Sequence, residues 1–566
     1  MGWAELAARG IGPHPDESVG PLERGFAVLR ALARAPGGRL RASELTRGTG
    51  LARSTVDRVA ATLVELGYLR TEGDGRDLVL APAAAAAGNA YLRACGLPRL
   101  LASLGEELSA RLDESVSLAV QDRESVRFIV QIKRRRALSV SFRVGDALPA
   151  ERCAPGPLFA QNWDEERFAE WRARVESDPD YDGFPALPTH HAQHGAVESF
   201  AQRIEIARRE GWADDDQLVE QGLIAIAVPV YDADGTVVCA LSVVSHTSRQ
   251  TVPSLAAAAL DALRETSARM TAVLADSPPP APASTPPALA PALASPASPP
   301  DRTAAAKEQF GPEYLQSLAR GISVLAALGT GPEGLTLSEA AAATGLPRAT
   351  ARRSLLTSVR QGYVATDGHR FRILPRVLEL GYARLGQLSL GELAQPHLDR
   401  VARTVHESAS MAVLDGEDIR YVARAAAERI MSVDIMIGTR FPAFATSMGR
   451  VLLADRPRAE RERFLAEARL KALTDHTVTD PAALLALLDR AEHEGYALVD
   501  QELEEGLRSI AVPVLDPSGA AIAAVNVSLH AARTSAAQAR TDVLPLLRAA
   551  ADAVSGDLAL VAPRLS

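Results

Sequence analysis

The chain has 566 residues, which at about 100–200 residues per domain corresponds to three to five domains and excludes a single compact core. Hydrophobic residues make up 47% of the chain and charged residues 23%, so most of it can bury enough apolar surface to fold and is not broadly disordered. The formal net charge is −9, from 61 basic and 70 acidic residues, which excludes a general polyanion binder and confines any nucleic-acid contact to a local patch.

The N-terminal segment, MGWAELAARGIGPHPDE, has no basic stretch followed by an apolar one, and no uncharged run of about 18 large apolar residues occurs in the sequence. Export and membrane contact are therefore not expected. The cysteines, Cys95, Cys153 and Cys239, lie far apart without CxxC spacing, which argues against a disulfide framework or a structural zinc site. A reducing, cytoplasmic location fits this pattern best.

The first predicted elements are helical. One apolar helix face is formed by Leu22, Phe26, Leu29 and Leu32. A short helix ending at Gly50, a longer helix over Arg53 to Glu65 and a two-strand pattern in YLRTEGDGRDLVLAP follow. Three helices with a glycine turn between the second and third, closed by a hairpin, predict a winged helix-turn-helix over residues 20–82. An ordinary three-helix subdomain without a nucleic-acid role fits the same pattern.

Residues 83–276 alternate strand and helix patterns, with strands joined by hairpin turns such as the one in IAVPVYDADG. Hairpins require antiparallel pairing, so we expect a mostly antiparallel sheet with helices packed on it. Between Ser277 and Pro300, 21 of 24 residues are Pro, Ala or Ser and none is charged, which predicts a semi-extended linker over residues 277–303.

The rest of the chain repeats the first half in the same order. LERGFAVLRAL recurs as LARGISVLAAL, and GLARSTVDRVAATLVELGYL recurs as GLPRATARRSLLTSVRQGYV with 9 of 20 positions identical. EQGLIAIAVPVYDADG later recurs as EEGLRSIAVPVLDPSG. The chain is therefore a tandem pair of units of about 250 residues each. The second unit contains a predicted winged helix-turn-helix over residues 313–376 and a mixed domain over residues 377–566, and the expected fold class is α+β.

Both halves resemble the IclR family of bacterial transcription regulators. The first half carries LERG, GLARSTVDR and EQGLIAIAVPV, and the second carries LARGISVL, LPRATARRSLL, ATSMGRVLLA and DQELEEGLRSIAVPV. The second half is similar to the branch that controls breakdown of protocatechuate and 4-hydroxybenzoate. The resemblance implies a winged helix-turn-helix that binds double-stranded operator DNA, a GAF-like effector-binding domain in each mixed region, and assembly into dimers or tetramers.

The start of the third helix of each winged domain is the expected DNA-reading segment, because sequence is read there in the major groove while basic groups neutralise phosphates. The second half presents Arg348, Thr350, Arg352 and Arg353 in this segment. From Pro347 to Arg353 the local charge is +3 without an acid.

The first half presents a different set: Arg53, Ser54, Thr55 and Arg58. It also has Asp57 where the second half has Arg352, so its local charge is +1. Asp57 can pair with Arg53 four residues before it, which would weaken the DNA affinity of this segment. Alternatively, Asp57 can accept a hydrogen bond from cytosine N4, which would change the base preference of the segment instead.

The resemblance further implies an effector pocket between the segment preceding SMGRVLLA and the last strands of the sheet. In the second half the corresponding residues are Thr446, Ser447, Ser509, Asn526 and Ser528. Arg508 is a candidate carboxylate partner, although strand alternation turns it away from Ser509 and an ion pair with Glu504 is the alternative. We expect a small organic acid as effector, either an aromatic acid or a ring-cleavage product.

The first half has weaker polarity at these positions, with Cys153, Ala154, Ala225, Ser242 and Val244, and Ile224 in place of Arg508. This composition predicts that the first mixed domain binds a more hydrophobic ligand or no ligand.

The remaining motifs favour no catalytic chemistry. His190, His191 and His194 cluster in THHAQHG without a nearby carboxylate or thiolate, so a solvated loop is expected rather than a metal site. GxSxG, HExxH and Walker A motifs are absent from the sequence, and no cofactor is expected. The sequence thus predicts a ligand-responsive DNA-binding regulator, working as an intramolecular pseudo-dimer or a homodimer. The alternative is a signalling or oligomerisation protein that binds a small molecule and no specific DNA.

Overall fold

The computed structural model describes residues 20–72, 75–134, 142–188, 195–276, 311–386, 388–427 and 435–561. The predicted linker over residues 277–303 and the three histidines of THHAQHG lie outside these ranges. The chain divides into two compact units, one ending at Gln387 and the other spanning Leu388–Arg564. The first unit contains both winged helix-turn-helix regions and the first mixed domain, and the second unit contains the second mixed domain.

The first winged helix-turn-helix has the predicted three helices and a small antiparallel sheet. Its elements are α1 (Gly20–Arg34), β1 (Arg39–Arg41), α2 (Ala42–Thr49), α3 (Arg53–Glu65), β2 (Leu69–Glu72) and β3 (Asp77–Leu80), with strand order β1-β3-β2. The apolar face of α1 is buried, and Leu22 and Leu32 have no exposed surface. Gly50 ends α2 with a left-handed φ of 68°, a conformation that glycine adopts without steric cost.

The first mixed domain is built around a six-stranded antiparallel sheet. Its helices are α4 (Ala86–Cys95), α5 (Leu97–Leu112), α6 (Pro155–Ala160), α7 (Glu165–Ser177), α8 (Ala196–Glu210) and α9 (Val252–Asp276). Its strands are β4 (Ser115–Asp122), β5 (Ser125–Ile132), β6 (Ala147–Pro149), β7 (Ala213–Asp216), β8 (Leu223–Tyr231) and β9 (Val237–His246). The strand order is β6-β5-β4-β9-β8-β7, and α5 and α9 pack on the sheet.

The second winged helix-turn-helix repeats the first. Its elements are α10 (Gln316–Ala327), β10 (Leu335–Thr336), α11 (Leu337–Thr344), α12 (Arg348–Arg360), β11 (Val364–Thr366) and β12 (Arg370–Ile373), followed by α13 (Tyr382–Leu385). The strand order is β10-β12-β11. Thr336 and Glu339 form a capping box at the start of α11, and Gly345 ends that helix with a φ of 66°.

The two winged helix-turn-helix domains pack against each other inside the first unit. Leu22 of α1 lies over Gly321 of α10, and the equivalent Leu318 of α10 lies over Gly25 of α1. Both leucines are completely buried. Because residue i of one copy contacts residue j of the other and the reverse also holds, the contact has the pattern of a two-fold interface. The tandem copies thus form a pseudo-symmetric pair within one chain.

The half-buried carboxylate of Glu379 joins three parts of the first unit. The Tyr363 hydroxyl of the second winged domain donates to it at 2.8 Å, and the guanidinium groups of Arg30 in α1 and Arg127 in β5 lie 3.8 and 3.9 Å away. Burial by itself would raise the pKa of Glu379, but the positive charges of Arg376, Arg127 and Arg30 hold that pKa below its usual range. The second winged domain is therefore tied to both the first winged domain and the first sheet.

The second unit contains the second six-stranded antiparallel sheet. Its helices are α14 (Leu390–Val405), α15 (Ser447–Ala454), α16 (Arg458–Glu467), α17 (Pro481–Glu494), α18 (Ala536–Gln538) and α19 (Leu544–Val561). Its strands are β13 (Ser408–Asp415), β14 (Asp418–Ala425), β15 (Arg440–Pro442), β16 (Ala497–Asp500), β17 (Leu507–Leu515) and β18 (Ala521–His530). The strand order is β15-β14-β13-β18-β17-β16, as in the first sheet.

Each face of this sheet carries its own hydrophobic core. Helices α14 and α19 cover one face, where alternate residues of β17 and β18 such as Val512 and Val525 are buried. Helices α15 and α17 cover the other face. The expected α+β class and the antiparallel pairing of the hairpins are confirmed.

Candidate functional site

We call α3 (Arg53–Glu65) reader helix 1 and α12 (Arg348–Arg360) reader helix 2. Reader helix 2 begins directly after Pro347, whose backbone angles are not helical. Two residues earlier, Gly345 ends α11 in a left-handed conformation, so the turn between the two helices is short. Its inner side is fixed by Ala351 and Leu355, which are fully buried. This packing leaves the opposite side of the helix for contact with a partner.

The predicted DNA-reading residues of reader helix 2 lie on that outer side. Arg348, Arg352 and Arg353 are exposed, and Thr350 is half-buried. Within the described ranges, Arg348 and Arg353 have no carboxylate within ion-pair distance. Guanidinium groups in this arrangement can grip guanine edges or phosphates.

Reader helix 1 holds its arginines differently. The Nε of Arg53 donates to both carboxylate oxygens of Asp57, at 2.9 and 3.0 Å, which is the i,i+4 pair given above as the first of two alternatives. The guanidinium of Arg58 lies 3.9 Å from the carboxylate of Glu313. Ser54 is exposed and Thr55 is half-buried. The positive charge at this helix tip is therefore partly neutralised by the protein itself.

The second unit contains a cavity of about 280 Å³ between the inner face of its sheet and the start of α15. The residues lining it are Tyr421, Ile435, Phe441, Pro442, Thr446, Ser447, Met448, Leu473, Leu503, Glu504, Leu507, Ser509, Asn526 and Ser528. Five of the six predicted effector-binding residues are among them. Burial raises the pKa of the Tyr421 hydroxyl to about 12, so this group is a neutral phenol at physiological pH.

The polar side chains of the cavity form two small groups. The Ser447 and Ser509 hydroxyls lie 2.9 Å apart, beside Thr446, whose hydroxyl accepts from the Gly449 N–H and caps α15. On the neighbouring strand β18, where Ser528 is paired with Ser509, the side-chain amide of Asn526 donates to the Ser528 hydroxyl at 3.4 Å. The Oδ1 of Asn526 is buried and has no hydrogen-bond partner among the described residues. A buried acceptor without a partner costs free energy, which a bound donor would recover.

Arg508 does not belong to this group. Its guanidinium donates to Asp500 at 2.7 Å and to the carbonyl oxygens of Ala531, at 3.2 Å, and Thr534. Arg508 and Asp500 are paired across β16 and β17, and strand alternation turns Arg508 to the side opposite Ser509. Of the two alternatives that the sequence left open, the structure places Arg508 in an ion pair outside the cavity lining, and its partner is Asp500 rather than Glu504.

The sequence reading missed two features of the cavity. Tyr421, Ile435 and Phe441 supply an apolar wall from strands and loops remote in sequence. Beside it, Arg450 of α15 forms a buried bidentate ion pair with Glu502, with N–O distances of 2.8 and 2.5 Å. This pair fixes α15 to the segment that carries Glu504, and no pattern local to either residue indicates it.

The equivalent region of the first mixed domain is filled by hydrophobic side chains. Phe128 and Phe142 occupy the positions of Tyr421 and Ile435, and their rings stack with centroids 5.2 Å apart. The five residues that match the polar lining of the second cavity are buried, and all but Ser242 belong to one hydrophobic cluster; they are Cys153, Ala154, Ala225, Ser242 and Val244. Burial raises the pKa of the Cys153 thiol, so this group is neutral as well.

The described ranges contain no group of three histidine, cysteine, aspartate or glutamate side chains that could hold a metal ion. Over the same part of the chain, none of the helices combines the length and the hydropathy needed to cross a bilayer. The three cysteines are free.

Comparison with known protein families identifies the two kinds of domain. The model of the IclR helix-turn-helix domain matches residues 21–73 and 317–368, and that of the bacterial transcriptional regulator IclR C-terminal matches residues 89–272 and 382–556. The chain belongs to the IclR family. It contains two copies of each family domain, and it is a DNA-binding transcriptional regulator rather than an enzyme.

Single-unit relatives match less than half of this IclR-family chain. The Pca regulon regulatory protein of Pseudomonas putida is 45% identical over 240 residues, which are 42% of this chain and 82% of the relative. The p-hydroxybenzoate hydroxylase transcriptional activator of Acinetobacter baylyi is 35% identical over 241 residues, which are 42% of this chain and 89% of the relative.

Solved structures of the family were found as well. A transcriptional regulator from Rhodococcus sp. RHA1 is 51% identical, covers 44% of this chain and 99% of its own, and has a TM-score of 0.42. The inducer-binding domain of PobR from Acinetobacter, a double mutant in complex with 3-hydroxybenzoic acid, is 34% identical, covers 30% of this chain and 98% of its own, and has a TM-score of 0.29.

Proposed function

We propose that this IclR-family protein regulates genes of aromatic acid catabolism, and that a small aromatic acid or ring-cleavage product binds the cavity of the second unit and changes its affinity for operator DNA. The observation that carries the proposal is the buried Oδ1 of Asn526, which has no hydrogen-bond partner among the described residues, in a cavity lined by hydroxyl groups, two aromatic rings, aliphatic side chains and Glu504. The names of two relatives, which refer to the Pca regulon and to p-hydroxybenzoate hydroxylase, support the same ligand class.

The chemistry of the cavity suits a single hydroxylated ring. A volume of about 280 Å³ lies at the small end of ligand pockets. The ligand carboxylate accepts hydrogen bonds from Ser447 and Ser509 near the positive end of α15. The ring packs against Tyr421, and a ring hydroxyl donates to Asn526. Among the described residues that line the cavity none is a lysine or arginine, and Glu504 is the one with a charged side chain. Neutral donors therefore hold the ligand carboxylate in this proposal, and Arg508 serves stability alone.

A calorimetric titration of the full chain tests this assignment. We expect 4-hydroxybenzoate, protocatechuate or a ring-cleavage acid to bind with one site per chain. Asn526→Ala is expected to weaken binding about 5- to 150-fold, because it removes one buried hydrogen-bonding partner worth about 1–3 kcal/mol. Ser242→Ala is the matched control, since Ser242 occupies the equivalent position in the first sheet and is expected to leave binding unchanged. Two sites per chain, or equal losses in both variants, would contradict the proposal.

The DNA contacts proposed for operator binding come from both reader helices. They are Arg348, Thr350, Arg352, Arg353, Arg53, Ser54, Thr55 and Arg58. The guanidinium groups of reader helix 2 are exposed, which supports a larger contribution of that helix to operator affinity. A gel-shift titration is expected to show a greater loss for Arg348→Ala than for Arg53→Ala, and affinity that falls steeply with salt. Equal losses would contradict the ranking, and salt-independent or absent binding would favour the oligomerisation alternative.

We propose that the functional assembly is the intramolecular pseudo-dimer rather than a homodimer. The reciprocal packing of Leu22 on Gly321 and of Leu318 on Gly25 supports it. Mass measurement of the protein on a single operator at nanomolar concentration is expected to give one chain per duplex. Two chains per duplex would favour the homodimer.

The domain limits that we propose are residues 20–82, 83–276, 277–303, 313–376 and 377–566. A cytoplasmic location is part of the same proposal, supported by the free state of Cys95, Cys153 and Cys239. Cell fractionation of the producing bacterium tests it.

A further inference from the structure

The tandem arrangement places two different DNA readers in one pseudo-symmetric pair. In a homodimer the two readers are identical by construction, and the half-sites of the operator mirror that symmetry. Here Leu22 and Leu318 pack reciprocally as in a two-fold interface, but the reader helices carry different side chains at equivalent positions. The pair is therefore symmetric in its packing and asymmetric in its chemistry.

Within the first two turns of the reader helices, the charge differs at one position. Asp57 of reader helix 1 corresponds to Arg352 of reader helix 2, which replaces an acceptor with a set of donors. Asp57 is exposed and holds Arg53 at 2.9 and 3.0 Å. In the major groove a guanine presents two acceptors, O6 and N7, which repel a carboxylate and attract a guanidinium, whereas a cytosine presents the N4 amino group.

We propose that one chain binds a directional operator made of two unlike half-sites. Reader helix 2 takes the half-site that presents guanine edges to its guanidinium groups. Reader helix 1 takes a half-site that presents a cytosine amino group to Asp57. This inference rests on the proposed operator binding. Its consequence is that the protein sits on its operator in one orientation only.

Three duplexes test the inference with the full chain. One is the native operator, mapped by footprinting genomic fragments. The other two are symmetric duplexes, each built as an inverted repeat of one native half-site. Footprints of Arg348→Ala assign the half-site of reader helix 2, because that half loses protection first. We expect the native operator to bind at least about 10-fold tighter than either symmetric duplex, since one misread base pair costs about this much.

A charge-matched pair of variants separates sequence reading from general electrostatics. Asp57→Arg is expected to raise the affinity for the symmetric duplex of the reader helix 2 half-site at least about 10-fold relative to the native operator. Glu65→Arg makes the same charge change at the exposed far end of reader helix 1 and is expected to leave that ratio unchanged. Equal affinity for native and symmetric duplexes, or equal ratios in the two variants, overturns the inference. Absence of any DNA binding at low salt overturns the proposed function instead.

Discussion

Replacing Gly321 with alanine inserts a methyl group into the contact that joins the two winged domains. An ideal Cβ at Gly321 lies 2.5 and 2.7 Å from the two methyl carbons of Leu22. Carbon atoms in favourable contact lie about 3.5–4.0 Å apart. Leu22 has no exposed surface, so its side chain has no open space to enter. The overlap must therefore be relieved by separation of α1 and α10.

The size of the effect follows from two opposing contributions. Overpacking a well-packed core costs about 1–3 kcal/mol. Alanine is favoured over glycine inside a helix by about 0.8–1.0 kcal/mol. Gly48→Ala in α2 receives the second contribution alone, because a Cβ at Gly48 meets no atom within 4 Å. We therefore expect Gly321→Ala to be less stable than Gly48→Ala by about 1–3 kcal/mol.

Hydrogen exchange measured by mass spectrometry on the full chain resolves this difference locally. Amides in α1 and α10 are expected to exchange about 5- to 150-fold faster in Gly321→Ala than in Gly48→Ala, since 1.4 kcal/mol corresponds to tenfold. Gly25→Ala, the pseudo-symmetric change, is expected to behave like Gly321→Ala because its Cβ meets Leu318. Equal protection in all three variants would refute the reciprocal packing of the two domains.

Three further predictions concern buried charges. Glu379→Gln removes the negative charge that faces Arg30 and Arg127, so we expect the first unit to lose about 1–3 kcal/mol of stability. The loss is expected to appear as faster amide hydrogen exchange in the second winged domain. Unchanged amide exchange would show that the Glu379 carboxylate does not join this domain to the first winged domain and the first sheet. Burial raises the pKa of Asp215 from 3.8 to about 7, so the stability that its protonated form contributes is complete below about pH 4 and is lost as the pH rises through 7. Thermal midpoints are therefore expected to fall more between pH 5 and pH 7.5 in the wild type than in Asp215→Asn, and parallel pH profiles would contradict this. Arg508→Met is expected to lower the thermal midpoint of unfolding while leaving effector affinity within about twofold, because Arg508 pairs with Asp500 outside the cavity. A larger loss of affinity would indicate that Arg508 contributes to effector binding.

Local patterns in the sequence predicted much of the fold and of the cavity. The apolar spacing of Leu22, Phe26, Leu29 and Leu32 depends only on helix periodicity, and the structure buries all four. The positions of Asn526 and Ser528 two residues apart put both on one face of β18, and both line the cavity. These features could be predicted because they depend on residues close together in the chain.

Contacts between distant segments were not predictable in the same way. The partner of Arg508 depends on the register of β16 against β17, which pairs it with Asp500 and not with Glu504 on the connecting turn. The ion pair of Arg450 with Glu502 links residues 52 positions apart. The burial of Leu22 was expected, but nothing local to it indicates that its neighbour is Gly321 of the other copy.

The reciprocal contact between Leu22 and Gly321 has a consequence for how the regulator responds to its own abundance. Two separate chains fall apart on dilution, whereas two domains on one polypeptide meet at a local concentration set by the polypeptide itself. For the proposed intramolecular pseudo-dimer, promoter occupancy at low concentration is expected to rise in simple proportion to copy number, without the threshold that a monomer–dimer equilibrium imposes. On that proposal, a small number of chains per cell is sufficient, because each chain carries both DNA-binding domains of the assembly.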